Sequence, residues 1–117
     1  MKIKEYFTDS ELACHCGCGK MPDEQSIELL YALRLYYGKP ILVTSGARCE
    51  THNLRVGGSP MSTHLTGAFD IVVPAHDEWE IIRIAQFLGF TGIGISNNDF
   101  IHIDNKHQGP AIWTYNK

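Results

Sequence analysis

The stretch Thr91-Gly-Ile-Gly-Ile-Ser-Asn-Asn-Asp-Phe-Ile-His-Ile-Asp104 predicts two short strands joined by a turn. Its β-branched and aromatic residues favour strands over 91–95 and 100–103, and the pair Asn97-Asn98 favours a turn between them. Strands this close in the sequence pair as an antiparallel hairpin. The hairpin predicts an antiparallel sheet, which the rest of the chain must extend and cover.

Two more strands and three helices are predicted on the N-terminal side of the hairpin. Segments 40–44 and 68–73 are short apolar runs rich in β-branched residues. Capping residues and apolar positions at helical spacing predict helices near residues 8–13, 22–37 and 77–88. Helices that precede and interrupt a small, mainly antiparallel sheet define an α+β fold.

Two segments show no periodic pattern. Residues 45–66 hold three glycines, one proline and many polar side chains, which predicts a long loop with one helical turn near residues 49–56. Loops of this length inside a compact domain are usually functional or disordered. No element is predicted in the tail from Asn105, which contains Pro110 and Trp113.

Length, charge and hydropathy restrict the classes of protein that the chain can represent. Its 117 residues predict a single domain over 1–117. Ten basic and thirteen acidic residues give a net charge of −3 without a basic run, which argues against a nucleic-acid partner. No apolar run approaches the roughly 18 residues of a membrane span, so no membrane partner is expected. The first ten residues lack the apolar core of a signal peptide, which predicts a cytoplasmic location as synthesised.

Four cysteines form an unusual pattern. Cys14, Cys16 and Cys18 alternate, which in an extended chain places them on one side. With Cys49 or His15 they could form a four-ligand structural zinc site, although the spacing is not the paired Cys-x-x-Cys of zinc ribbons and fingers. Reduced thiols in the cytosol, or one disulfide after export, are the alternatives.

Two histidines and an aspartate stand in contexts that suggest chemistry. His64 closes the long loop, Asp70 lies in an apolar strand, and His102 lies in the apolar fourth strand. An ionised Asp70 is costly to bury unless it is paired or binds a metal. Two imidazoles and one carboxylate are a ligand set of catalytic zinc. Asp99, three residues before His102, could act as a base, and Asp104 could orient the ligand, since it shares the strand face with His102.

Several segments together resemble one enzyme family. They are Phe7–Leu12, Cys16–Gly19, Thr44–Cys49, His52–Gly58, Ser62–Ile71, Gly92–Gly94 and Phe100–Asp104. In order and spacing the chain resembles the zinc D-alanyl-D-alanine carboxypeptidase family of murein peptidases. That family includes vancomycin-resistance D,D-peptidases and bacteriophage L-alanyl-D-glutamate endolysins. The likeness runs from about residue 7 to Trp113 and is greatest to short, single-domain phage and prophage members, which implies a hedgehog/D,D-peptidase-like fold.

The resemblance implies a metal centre and a base. The family pattern assigns zinc to His64, Asp70 and His102, and it assigns Asp99 as the general base that activates the attacking water. The implied cofactor is therefore Zn²⁺. The resemblance therefore implies that the protein is a zinc metallopeptidase.

The resemblance also implies residues that bind substrate. Arg48 matches the family arginine that contacts substrate and stabilises the developing oxyanion, a task that suits a fixed guanidinium. Ser62 matches a serine that can form a hydrogen bond with substrate. Trp113 matches an aromatic residue that shapes the pocket, with ordinary core packing as the alternative.

The sequence departs from the family pattern at one spacing. His64 and Asp70 are six residues apart, whereas the family has seven. A one-residue shift would turn Asp70 to the other face of its strand, unless the segment through Gly67 absorbs the deletion because glycine permits unusual φ and ψ angles. Ala47 also replaces a common aromatic residue beside Arg48.

The implied partner is the peptidoglycan stem peptide, with either the D-Ala-D-Ala or the L-Ala-D-Glu bond as the target. Action in the cell wall or periplasm would then follow release of the protein by lysis. Two alternatives remain open: a non-catalytic murein-binding or phage structural module on the same fold, and an interaction domain stabilised by zinc at the cysteines.

Overall fold

In the computed structural model, which describes residues 6–96 and 100–115, five strands form one sheet. The strands are β1 (Leu42–Ser45), β2 (Ala68–Val72), β3 (Gly92–Ile95), β4 (Ile101–Asp104) and β5 (Ala111–Thr114). Their order in the sheet is β1-β2-β4-β3-β5. Every neighbouring pair is antiparallel except β3 and β5, which are parallel. The predicted α+β class is confirmed, as is the antiparallel pairing of β3 with β4.

Within residues 6–96 and 100–115, four α-helices accompany the sheet, and their ends follow from local capping. They are α1 (Asp9–Leu12), α2 (Glu24–Tyr37), α3 (Glu50–Arg55) and α4 (Glu78–Leu88). Thr8 and Glu11 close a capping box on α1, and Asp23 caps α2. Gly38 and Gly89 end α2 and α4 in the left-handed conformation that glycine adopts without strain. Within the described ranges, no helix has the length and apolarity needed to span a membrane.

The core lies where the helices meet the sheet. The residues of α2 that were predicted to face inward are buried, and Leu30 and Leu33 are fully so. Ile81 of α4 is also fully buried. Phe69 and Ile71 of β2 and Ile103 of β4 lie in the same cluster. Burial of each of these side chains between the helices and the sheet stabilises the folded state by roughly 1.5–3 kcal/mol. The opposite face of the central strands is thereby left to polar side chains.

The structure differs from the sequence prediction in several places, among them a 3₁₀ turn at Ala75–Asp77 that was not predicted. The tail holds β5, although no element was predicted there. The long loop contains α3, at the predicted helical turn, and also a 3₁₀ turn at Thr63–Leu65. The first strand is Leu42–Ser45 rather than 40–44. The predicted turn at Asn97-Asn98 lies outside the described residues.

Candidate active site

A single row of paired residues crosses four strands on the polar face of the sheet. Asp70 of β2 pairs with His102 of β4, and His102 pairs with Gly94 of β3. Gly94 in turn pairs with Trp113 of β5. Because paired residues on neighbouring strands project to the same face, Asp70, His102 and Trp113 lie side by side. Their relative positions are therefore set by the hydrogen-bonded ladder of the sheet.

His64 reaches this row from the 3₁₀ turn that precedes β2. Ser62 caps the turn, and its hydroxyl accepts a hydrogen bond from the His64 backbone N–H at 3.2 Å. The six-residue spacing to Asp70 is accommodated because the turn leads directly into β2. Gly67 does not adopt a positive φ here. It is needed for a different reason than expected: a Cβ at this position would lie 2.5 Å from the Ser26 hydroxyl.

The three side chains predicted to bind metal converge. The Nε2 atom of His64 and the Nδ1 atom of His102 each lie 3.2 Å from Oδ1 of Asp70. One possible ligand atom from each residue falls within 4.8 Å of the others. Both imidazoles are buried, and the Asp70 side chain is 15% exposed. The Asp70 carboxylate is therefore the most accessible of the three groups.

The other nitrogen of each imidazole is oriented by an acceptor. Nδ1 of His64 lies 2.6 Å from the carbonyl oxygen of Gly46, and Nε2 of His102 lies 2.7 Å from Oδ2 of Asp104. An acceptor at that position favours the tautomer with its proton on the nitrogen facing the acceptor. His64 Nε2 and His102 Nδ1, the nitrogens that face Asp70, are then the ones that can present a lone pair to a metal ion. This arrangement is typical of histidines that bind metal.

The charges of the cluster's own side chains support each other. Burial opposes ionisation of Asp70, but hydrogen bonds from His102 and His64 outweigh it and lower the pKa of Asp70 from 3.8 to about 2. Burial likewise opposes a charge on His102, yet Asp104 and Asp70 raise its pKa above 6.5. The Asp104 pKa is lowered by hydrogen bonds from His102 and His107 against the effect of burial. Both carboxylates are therefore ionised at neutral pH, as metal binding requires.

Asp104 connects the centre to residues that sequence reasoning missed. Besides His102, its carboxylate lies 2.9 Å from Nδ1 of His107 and accepts the Thr63 hydroxyl at 3.2 Å. It also accepts the backbone N–H of Lys106 at 2.9 Å. Thr63 adjoins His64 in sequence, and His107 follows Asp104 by three residues, so proximity to the predicted ligands was the available signal. The four contacts satisfy a carboxylate that has no solvent exposure.

Strand β3 lies beneath these side chains and has no side chains of its own on this face. A Cβ at Gly94 would lie 2.6 Å from Nε1 of the Trp113 indole. A Cβ at Gly92 would collide with the Asp104 carboxylate and with the His107 ring. The Trp113 ring is in turn 5.5 Å from the His102 ring and 5.1 Å from the His107 ring, centre to centre. The glycines therefore let the polar cluster and the indole lie flat on the sheet.

A cleft of about 470 Å³ opens over the centre. Its walls include the predicted residues Arg48, Ser62, His64, Asp70, His102 and Trp113. They also include Thr63, His107, Phe100 and Tyr115, which the sequence reasoning did not single out. Among the predicted site residues, Asp104 lies beneath the cleft and Asp99 lies outside the described residues, so the role of Asp99 stays a prediction.

Arg48 is held in the wall of the cleft. Its Nη1 donates to Oδ1 of Asn53 at 3.1 Å, and the Asn53 amide donates to the Ser59 carbonyl at 2.8 Å. Gly58 allows this pair, since a Cβ there would collide with both Arg48 and Asn53. The Nε–H of Arg48 is buried and has no hydrogen-bond partner among the residues described. A guanidinium held in the wall of the cleft is suited to bind an oxygen of a ligand.

The four cysteines form a second cluster with metal-ligand potential. Their sulfur atoms all lie within 4.8 Å of one another, and all four thiols are free. The sequence left open whether Cys49 or His15 is the fourth ligand. In the structure the fourth member of the cluster is Cys49, and His15 is not part of it.

Comparison with known proteins identifies one family. A family model described as Peptidase M15 matches residues 5–104, which is most of the chain and includes every residue of the candidate metal centre. No curated protein matches the chain at a significant level.

Proposed function

Because the chain belongs to the Peptidase M15 family, a family of zinc metallopeptidases, we propose that it hydrolyses a peptide bond in the stem peptide of peptidoglycan. The observation that carries the proposal is the convergence of His64, Asp70 and His102 at the floor of an open cleft. Two neutral imidazole nitrogens and one carboxylate oxygen fit a catalytic zinc ion, which keeps a further position for water or substrate. The residues present therefore fit the metal that the family implies.

The zinc ion would be held by His64 Nε2, Asp70 Oδ1 and His102 Nδ1. When bound there, zinc would supply a Lewis acid that polarises the scissile carbonyl and makes water more acidic. The Gly46 carbonyl and Asp104 hold the two imidazoles in the required tautomers. The protein thus contributes a centre whose ligands are oriented before the substrate arrives.

The chain's own residues would bind the substrate and move the proton. Arg48, which lines the cleft, would donate from its guanidinium to the oxygen on which negative charge develops. Trp113 would pack against the peptide and exclude water from that side of the cleft. Asp99 would accept the proton of the attacking water and pass it to the leaving amine, a role that rests on the family resemblance.

Two stem-peptide bonds suit this proposal. One is the terminal D-Ala-D-Ala bond, which a carboxypeptidase would cut, and the other is the L-Ala-D-Glu bond, which an endopeptidase would cut. Both present a peptide carbonyl next to a carboxylate of the substrate. We propose that the enzyme reaches this substrate in the cell wall or periplasm after release by lysis.

The decisive experiment offers both bonds to the protein. Synthetic stem peptides ending in D-Ala-D-Ala, and others carrying an internal L-Ala-D-Glu bond, are incubated with zinc-loaded protein, and the products are identified by mass spectrometry. We expect cleavage of one of them, which His64→Ala abolishes. The exposed His76 lies outside the cleft, so His76→Ala is the matched control and should keep full activity. Absence of cleavage of either peptide by zinc-loaded wild type would contradict the proposal.

The alternative, a non-catalytic murein-binding module, was motivated by the shortened spacing between His64 and Asp70. Convergence of both side chains with His102 removes that motivation. The alternative predicts sedimentation with purified murein that survives His102→Ala, together with no product from wild type. The proposed enzyme predicts product from wild type.

A further inference from the structure

We propose that the chain binds a second zinc ion, a structural one, through its four cysteines. The ligands are Cys14, Cys16, Cys18 and Cys49. This ion would fasten the loop after α1 to the segment that leads into α3. The proposal is independent of the peptidase activity, because it rests on residues outside the cleft.

The three distances among the sulfur atoms of Cys14, Cys16 and Cys49 are close to those of a tetrahedral metal site, and Cys18 Sγ lies within 4.8 Å of each of them. Cys14 Sγ lies 3.4 Å from Cys16 Sγ and 3.8 Å from Cys49 Sγ, and the latter two are 3.6 Å apart. In a tetrahedral zinc site with Zn–S bonds of about 2.3 Å, neighbouring sulfurs are about 3.8 Å apart. The three separations are similar to one another, as they are around a shared ion. Thiolate sulfur is a preferred ligand of zinc, and four of them complete a closed structural site.

Backbone amides donate to two of the sulfur atoms. The N–H of Cys49 donates to Cys14 Sγ at 3.3 Å, and the N–H of His52 donates to Cys49 Sγ at 3.4 Å. Such donors around a metal ligand fix its orientation and stabilise its negative charge. The sulfur of Cys49 also caps the first turn of α3. The ligand atoms are therefore held in position by the fold rather than by contact with each other alone.

The loop 14–20 is folded so that its alternating cysteines face one point. The N–H of Cys14 donates to the Lys20 carbonyl at 2.8 Å, which closes the loop, and the N–H of Gly17 donates to the Cys14 carbonyl at 3.2 Å. Gly17 and Gly19 have φ values of 89° and 88°. Other residues rarely adopt these angles, so the glycines allow the chain to turn around the cluster. A short loop without a core of its own is the kind of segment that a metal ion stabilises.

The cluster is adjacent to the segment that builds the cleft. The N–H of Ala47 donates to the Leu12 carbonyl at 2.9 Å, and the backbones approach so closely that a Cβ at Gly46 would collide with Leu12. Gly46 supplies the carbonyl that orients His64, and Arg48 directly precedes Cys49. An ion at the cysteines would therefore also fix the wall of the cleft on which both groups lie.

The test measures metal directly. Protein is purified with a reductant and without chelators, and metal is identified and counted by elemental analysis and native mass spectrometry. We expect two zinc ions per wild-type chain and one in the double variant Cys16→Ser/Cys18→Ser, whose two positions are exposed and outside the core. The His64→Ala variant should also retain one zinc ion per chain, at the cysteines. His15→Ser, at an exposed position between two of the cysteines, is the matched control and should retain two.

Cobalt gives a second measurement that does not depend on zinc counts. Metal-free protein is titrated with Co²⁺, which absorbs in the near ultraviolet through thiolate-to-metal charge transfer only when cysteines bind it. We expect this band in wild type and in His64→Ala, and its loss in Cys16→Ser/Cys18→Ser.

Each contrary outcome is distinct. Wild type with four reduced thiols and no thiolate–cobalt band would overturn the proposal, as would a metal other than zinc, or a disulfide that persists in reductant. One zinc per chain that is lost in His64→Ala would leave the peptidase centre intact and overturn the cysteine site. One zinc that is lost only with the cysteines would support this site and contradict the proposed catalytic centre.

Discussion

Asp104 has no accessible surface in its side chain, yet it keeps its charge because four donors surround it. Through His102 its charge extends to the metal centre, since a carboxylate on the far nitrogen makes the imidazole a stronger ligand. Its importance at the residue scale therefore comes from orientation and basicity rather than from contact with substrate.

The Asp104→Asn variant tests this influence. We expect zinc affinity at the centre to fall by about 10- to 100-fold, because the oriented, charged acceptor of His102 is lost. Affinity is measured by competition with a chromogenic chelator in a Cys16→Ser/Cys18→Ser background, which leaves one site. Asp9→Asn in α1 is the control. An affinity equal to that of the parent would refute the orienting role.

Arg48 allows a prediction that separates substrate binding from metal binding. Arg48→Lys removes the planar guanidinium fork that Asn53 holds, and lysine does not reproduce it. We expect kcat/KM on the cleaved stem peptide to fall by about 100-fold, the usual effect of losing one oxyanion donor. Zinc content should not change. Arg55→Lys, at an exposed position in α3, should leave both quantities as in wild type.

Asp77 carries a prediction about pH. It accepts hydrogen bonds from Tyr37 at 2.6 Å and Lys39 at 2.9 Å, and these, in that order, lower its pKa below 3.8, with His76 nearby. Its stabilisation is therefore complete above pH 3.8 and is lost as the pH falls through the folded-state pKa. As the pH falls below about 4, the free energy of unfolding of the metal-free wild type should fall towards that of Asp77→Asn. Glu28→Gln, an exposed site in α2, should show no such convergence.

Strand β3 explains at the element scale why the centre can lie flat on the sheet. Gly92→Ala would place a methyl group against Asp104 and His107, and we expect lower zinc affinity and a loss of stability of about 1–3 kcal/mol. Gly109→Ala is the control, since a Cβ at that position meets no atom within 4 Å. Chemical denaturation and the chelator competition give the two quantities. Equal values for the two alanine variants would contradict the steric argument.

The elements differ in how far the sequence predicted them. Helices α2 and α4 were predictable, because capping residues and apolar spacing agree with each other at both ends. Strand β5 was missed because it is short and half exposed. It also pairs in parallel with β3, so no hairpin turn between the two strands marks the pairing in the sequence. Pairing of this kind is decided by tertiary contacts, which leave no local pattern.

The candidate site was predictable in its ligands and less so in its surroundings. Asp70 and His102 stood out because ionisable groups in apolar strands need partners, and His64 stood out because it closes the long loop six residues before Asp70. Thr63 and His107 could not be assigned, because their role depends on where the buried Asp104 carboxylate lies in three dimensions. The reason expected for Gly67 was wrong: the position requires a close approach to α2 rather than an unusual backbone angle.

At the scale of the whole molecule, metal binding and folding are linked. Zinc that binds only the folded chain stabilises it by about 2.7 kcal/mol at 100 times Kd for each site. For a chain of this size we expect zinc to raise the Tm of the metal-free protein by on the order of 10 °C per site. His64→Ala and Cys16→Ser/Cys18→Ser should each reduce the rise in Tm that zinc produces, measured by thermal denaturation. An identical rise in all three proteins would show that zinc acts elsewhere.

The pairing of Asp70 with His102 has a consequence for how the chain reaches its native state. If β2 and β4 align one residue out of step, Asp70 turns to the opposite face and the three ligands never meet. Zinc at this centre therefore stabilises only molecules with the correct strand alignment. The ion therefore selects the native strand register during folding. Chains with misaligned strands gain no stability from zinc, so their strands can separate and pair again.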